Sequence, residues 1–239
     1  MPPKEIVLCV EGEGDVDAVP ILAKRVLKEM DASGEVVIAS LIFRVRGVGA
    51  LVRGSGNEWL RHLENAKRQK HLAGVLLVLD GDLEHVPKTW DEYVRRFART
   101  DFCAFRAAAS FAQMAKSAGA GKLFSVAAVF VMKEFEAWLM GGIESLRGRA
   151  LAEGRGIVSA DAAIPPGLVI EAKRDIKGVL KKAIGGVYSQ TLDQADLARH
   201  VDLKLLRQRC SSFRRFERAI GELVASARGA AHTVSPVTV

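Results

Sequence analysis

Cysteine is scarce and scattered. Cys9, Cys103 and Cys210 are odd in number and far apart in 239 residues, which excludes a disulfide scaffold. Reduced thiols in a cytoplasm are the simplest reading. No cysteine pair has zinc spacing, and His62, His71, His85, His200 and His232 form no pair at metal-ligand spacing. Long apolar runs are missing as well. The longest, Leu123 to Met132, is about half of what a membrane helix needs, and Ile6 to Val10 is too short for a signal peptide. The expectation is a cytoplasmic chain without a membrane partner. Glycine-rich phosphate motifs fail too. Gly47-Val48-Gly49 is followed by Val52 where a dinucleotide fingerprint needs its third glycine. Gly119-Ala120-Gly121-Lys122 is followed by Leu123 and preceded by Lys116 where the phosphate loop needs other residues.

Apolar residues (49%) are too many for a disordered chain, and charged residues (26%) fit a globular one. The net charge of +7 is unevenly spread. Residues 1–146 hold 19 basic and 19 acidic side chains, whereas residues 147–239 hold 16 and 9. A basic excess points to an anionic partner, nucleic acid first.

Strand-like and helix-like segments alternate in the first part. Glu5 to Val10, Val36 to Val45, Gly74 to Leu79 and Leu123 to Met132 read as strands. Asp15 to Met30, Glu58 to Gln69 and Thr89 to about Lys116 read as helices, and Lys133 to Leu146 begins as one. The glycines at 47, 49, 54 and 56 read as a loop. This order predicts an α/β fold: an open, mostly parallel, Rossmann-like sheet flanked by helices, followed by a smaller helical region. The expected parts are an α/β domain over 1–147, a linker over 148–168, a basic helical region over 169–228 and a flexible tail over 229–239. Helices are expected at Val169 to Ile184, Gln194 to Val201, Leu203 to Cys210 and Ser211 to Ala227.

In a parallel sheet, ligands bind beyond the carboxyl ends of the strands. There the first strand runs into Glu11-Gly12-Glu13-Gly14-Asp15, the third into Asp80-Gly81-Asp82-Leu83-Glu84, and the fourth into Lys133-Glu134-Phe135-Glu136. Crowded carboxylates repel, and burying them is costly unless a cation neutralises them. Mg²⁺ or Mn²⁺ prefers such oxygen donors. Gly12 and Gly14 lack a Cβ, so a phosphate can approach closely. The plainer alternatives are a turn for Asp-x-Asp, a helix N-cap for Asp15, and first-turn acids for Glu134 and Glu136.

Glu11-Gly12 after a first strand and Val78-Leu79-Asp80-Gly81-Asp82 after a later one resemble the Toprim domain. A narrower set resembles the domain of unknown function 4276 family, which is Toprim-like, over roughly Ile6 to Leu223. That set is Val10-Glu11-Gly12-Glu13-Gly14-Asp15, Leu79-Asp80-Gly81-Asp82, Lys133-Glu134-Phe135-Glu136-Ala137-Trp138-Leu139 and Ser211-Ser212-Phe213-Arg214-Arg215-Phe216. The resemblance implies a Mg²⁺-dependent (or Mn²⁺-dependent) nuclease cleaving DNA or RNA. Glu11 would be a metal ligand or acid/base, Asp80 and Asp82 metal ligands, and Glu84 a further ligand. It also implies an ABC- or SMC-like ATPase partner in a bacterial phage-defence or DNA-processing system. From the residues alone, one of Glu134 and Glu136 faces the metal pocket and the other caps or pairs with a base. Topoisomerase or primase activity would need further domains, and only Tyr93 and Tyr188 are available as tyrosine nucleophiles. The alternatives kept are a non-hydrolytic docking module for the ATPase and an RNA-maturation endonuclease.

Basic residues beside the acids read as a phosphate track: Arg46 and Arg53 after the second strand, Lys173, Lys177 and Lys181 on one helical face, and Arg214 and Arg215. Solvated charge is the plainer reading of each cluster. The second part has few aromatics (Tyr188, Phe213, Phe216), so a base-stacking platform is poorly supported.

Overall fold

The structure, a computed structural model, describes residues 2–81 and 104–237, apart from the side chains of 53–55. Asp82, Glu84 and His85, and the start of the helix expected from Thr89, lie outside the described residues.

Five strands form one all-parallel sheet: β1 Lys4–Val10, β2 Val36–Arg44, β3 Leu72–Asp80, β4 Ser125–Val131 and β5 Val234–Ser235, in the order β2-β1-β3-β4-β5. The inner strands are apolar along nearly their whole length because helices cover both faces. This is the expected Rossmann-like α/β architecture.

Alternate residues of each strand serve opposite layers. Ile6, Leu8, Leu76, Val78, Ala127 and Val129 face α1 (Asp15–Glu29), α4 (Glu136–Gly141), α6 (Gln190–His200) and α8 (Ser211–Ala227). Val7, Cys9, Val75, Leu77, Ala128 and Phe130 face α2 (Val48–Ala66) and α3 (Ala104–Ala115). The basic helical region therefore shares the first core with the sheet. Trp138 is the hub, with Phe135, Phe213 and Phe216 around it at ring separations of 5.1–5.4 Å. Its indole N–H donates to Ser212 Oγ at 2.8 Å, and Glu171 accepts from the backbone and hydroxyl of both Ser211 and Ser212. Glu171 thus caps the N-terminus of α8 from outside the helix.

Three expectations change. The glycines at 49, 54 and 56 lie inside α2, because Val48, Leu51, Val52 and Trp59 form a buried helical stripe that outweighs glycine's helix penalty. The helix expected over Val169 to Ile184 shrinks to a single 3-10 turn at Ile170–Ala172 and α5, Ile176–Ala183, which Asp175 caps through Gly178 N. Helix α7, Leu203–Arg209, agrees with expectation. The tail forms β5. Val126 N donates to the Thr233 carbonyl and Thr233 N to Ser125 Oγ, while Arg215 donates to Ser235 Oγ. Among the described residues no helix is long and apolar enough to cross a membrane.

Trp138→Ala empties the hub and removes the donor to Ser212. It should cost about 4 kcal/mol, read from the shift of the urea unfolding midpoint.

Candidate functional site

The strand order reverses between β1 and β3, with β2 on one side of β1 and β3 and β4 on the other. That is the switch point where a parallel sheet opens a crevice at its carboxyl edge. Register decides what lies there. Val10 pairs with Val78, and Asp80 with Val131, so Glu11 and Asp80 leave adjacent strands at nearly the same height. Glu134 and Glu136 follow directly after β4. Glu11 Oε2 accepts the backbone N–H of Asp80 at 3.1 Å, fixing the two ends together.

A further acid joins them. Asp15 does not cap α1; the cap position belongs to Gly14, and Asp15 is the first helical residue. Its carboxylate turns back, accepting Gly12 N at 2.8 Å through Oδ2 and Gln194 Nε2 at 2.9 Å through Oδ1. A Cβ on Gly12 would lie 2.8 Å from Asp15 Oδ2, so the missing side chain makes room for Asp15. Gly14 is closed in a similar way by Gln194. Gly47, at φ +82, stands where a Cβ would come to 3.0 Å from Glu11 Oε1.

Glu136 is fully buried at the start of α4. Oε1 accepts the Tyr188 hydroxyl at 3.1 Å, while Oε2 is buried without a hydrogen-bond partner. Glu134 Oε2 accepts Lys177 N at 3.3 Å, and the Lys177 ammonium charge favours ionised Glu136. Both acids therefore belong to the edge, and Glu134 holds the first turn of α5.

The electrostatics are those of crowded, buried negative charge. Burial pushes the Asp80 carboxyl well up, and Asp15, Glu11, Glu136 and Glu134 push it further. Burial raises Glu11 to about 7 against the Asp80 hydrogen bond. It raises Asp15 despite Gly12 and Gln194, and Glu136 despite its own backbone, Lys177 and Tyr188. Hard oxygen donors, an orphaned carboxylate oxygen and mutually repelling acids suit a divalent cation. Among the described residues, no three such side chains close into a coordination cage by themselves.

The basic residues divide. Lys173 and Arg46 are exposed. Lys173 precedes α5, so only Lys177 and Lys181 share its face, with Lys181 exposed. Arg53 lies on α2, its side chain outside those described. Arg214 donates to the carbonyls of Arg207 and Gln208, and Arg215 to Glu222 and Ser235. These two guanidinium groups are occupied within the fold.

Sequence reasoning missed Tyr188 and Gln194 and undervalued Asp15. The four-residue step from Glu11 to Asp15 was a usable signal, since one turn carries the second acid back over the first. Nothing local marks Gln194.

A model of the family described as Domain of unknown function (DUF4276) matches residues 10–221, a span that includes every acid of the sheet edge. No curated protein matches the chain. Among solved structures, the C-terminal region of the Xanthomonas campestris pv. campestris OLD protein, phased with platinum, aligns over 98% of this chain and 87% of that one. The identity is 16% and the TM-score 0.27, a likeness too slight to establish shared chemistry.

Glu11 moves from an ordinary 4.5 to about 7. Between those values the folded chain keeps a proton that the unfolded chain has lost. Its contribution to stability is therefore complete below the unfolded value and disappears as pH rises through the folded one. In the metal-free protein, the melting temperature should fall through this window, and Glu11→Gln should flatten the fall. A wild-type profile as flat as that of E11Q would contradict the burial of Glu11.

Proposed function

The chain belongs to the domain of unknown function 4276 family, and from its acidic sheet edge we propose that it is a Toprim-like, metal-dependent phosphodiesterase acting on DNA or RNA. The observation that carries this reading is the convergence of Glu11, Asp15, Asp80, Glu134 and Glu136 at the switch point, where the pKa values of Glu11, Asp15, Asp80 and Glu136 are raised. Such crowding opposes folding unless charge of the other sign is bound there. Glu11, Asp15, Asp80 and Glu136 are the described residues that would hold Mg²⁺ or Mn²⁺, together with Asp82 and Glu84, which follow Asp80 in the sequence. The cation supplies Lewis-acid polarisation of a phosphoryl oxygen.

The chain's own groups do the rest. Glu11 has one oxygen tied to Asp80 N and an acidity near neutral. Its Oε1 is the atom suited to accept and return a proton. Lys173, Lys181 and Arg46 are exposed and supply cationic contacts for a phosphate backbone, independent of sequence and weakened by salt. An ABC- or SMC-like ATPase partner in a bacterial defence or DNA-processing system belongs to the same proposal.

One observation favours a second reading, a non-hydrolytic module docking on that ATPase. The described acids do not close a cage unaided. Titration calorimetry with Mn²⁺ separates the two, since a docking module shows no binding at millimolar metal.

Plasmid, single-stranded DNA and transfer RNA are the test substrates, each with Mg²⁺ or Mn²⁺. Cleavage of at least one is expected, and Glu11→Ala and Asp80→Ala should each abolish it. Cleavage that survives both substitutions would overturn the assignment.

A further inference from the structure

Two of the edge acids are held from outside the sheet. Tyr188 donates its hydroxyl to Glu136 Oε1 at 3.1 Å, and Gln194 donates its amide to Asp15 Oδ1 at 2.9 Å. Both donors are buried, and both come from one short stretch, residues 187–194, at the entry to α6. Neither carries charge, so each orients a carboxylate without neutralising it. Each also leaves the acid's negative charge available.

That stretch is itself clamped. Arg155, from the segment between α4 and α5, donates to the Val187 carbonyl at 2.7 Å and pairs with the fully buried carboxylate of Asp193. The other Asp193 oxygen accepts Ser189 N at 2.7 Å. One guanidinium thus grips the residue before Tyr188 and the residue before Gln194. Arginine's rigid fork suits a grip on two acceptors.

The unpartnered atoms indicate what the wall is built around. Glu136 Oε2 is buried and bare although Oε1 is bonded, and Gln194 Oε1 is buried and bare although its amide nitrogen is bonded. An arrangement selected for stability alone would give Glu136 a second donor, because a bare buried carboxylate oxygen is costly. Tyr188 instead pins one oxygen and leaves the other presented.

We propose that residues 187–194, clamped by Arg155, form the positioning wall of the acidic site, in which Tyr188 and Gln194 orient Glu136 and Asp15 toward a divalent cation. Tyr188 and Gln194 are positioning residues: they act through the acids. The inference rests on the metal reading of the site. Outer partners of this kind typically contribute 10–100-fold to metal affinity.

The test is calorimetric titration of Mn²⁺ into the metal-free full chain, with the metal-free melting temperature as a separate readout. Tyr188→Phe removes one hydroxyl and keeps the ring. Gln194→Met keeps the shape and removes the amide. Each should weaken Mn²⁺ binding about 10-fold while the metal-free melting temperature falls by only about 2–8 °C, so that the chain is still folded at the temperature of the titration. Arg199→Lys, an exposed and charge-conserving change on the same helix beyond the wall, should bind as wild type does. Wild-type affinity in both variants overturns the inference and leaves the metal reading standing. So does affinity that falls only in step with melting temperature, which would mark a purely structural role. Failure of the wild-type chain to bind Mn²⁺ overturns the metal reading, and the inference with it.

Discussion

Like charge brought together out of water is the constraint on which the rest of this molecule turns. Four carboxyl groups at the carboxyl edge of the sheet, Glu11, Asp15, Asp80 and Glu136, have pKa values held above the ordinary, with burial as the first cause in each. The sheet supplies the rigidity needed to keep them there. The registers Val10 to Val78 and Asp80 to Val131 fix the height of each acid, and the Glu11 to Asp80 hydrogen bond joins two strand ends. Local packing then gives way around the acids. Gly12 has no side chain because Asp15 occupies that space, and Gly47 takes a left-handed conformation beside Glu11.

The second part of the chain completes this edge and covers the sheet that carries it. Helix α8 buries Phe213 and Phe216 against Trp138, three residues from Phe135, so the string Glu134 to Leu139 is an acid pair attached to a core anchor. Several of its basic residues are paired within the fold. Arg207 pairs with Glu29 and Glu217, Arg209 with Glu144, Arg215 with Glu222, and Arg228 with Glu35. Such pairs set the docking geometry of the helices more than they add stability. The net charge of +7 already counts the acids of these pairs, and the exposed lysines around α5 contribute to the outward positive surface.

The α/β order was legible because uniformly apolar runs such as Val75 to Leu79 admit few other readings. The convergence of Glu11, Asp80, Glu134 and Glu136 followed from the rule that ligands gather at strand ends. What stayed hidden depends on long-range contact. Tyr188 meets Glu136 across 52 positions and Gln194 meets Asp15 across 179, and neither carries a periodic signal. Local propensity misled at the glycines of α2, where burial of Val48, Leu51 and Val52 outweighed flexibility. It misled again at Lys173, which the capping of α5 by Asp175 leaves outside the helix. A two-residue strand such as β5 carries too little pattern to be recognised without the partner that it pairs with.

The pairing of β5 with β4 links residues more than a hundred positions apart, and the Ser125 to Ser226 hydrogen bond spans 101. Chains are made from the first residue onward, and domains fold as their parts emerge. While the ribosome is still adding residues, β1, β3 and β4 exist without the helix that covers their apolar face and without the strand that shields the β4 edge. The nascent chain therefore carries a bare, sticky sheet until α8 appears. The acid edge likewise lacks Tyr188 and Gln194 until those residues have been added, so the site cannot be complete before then.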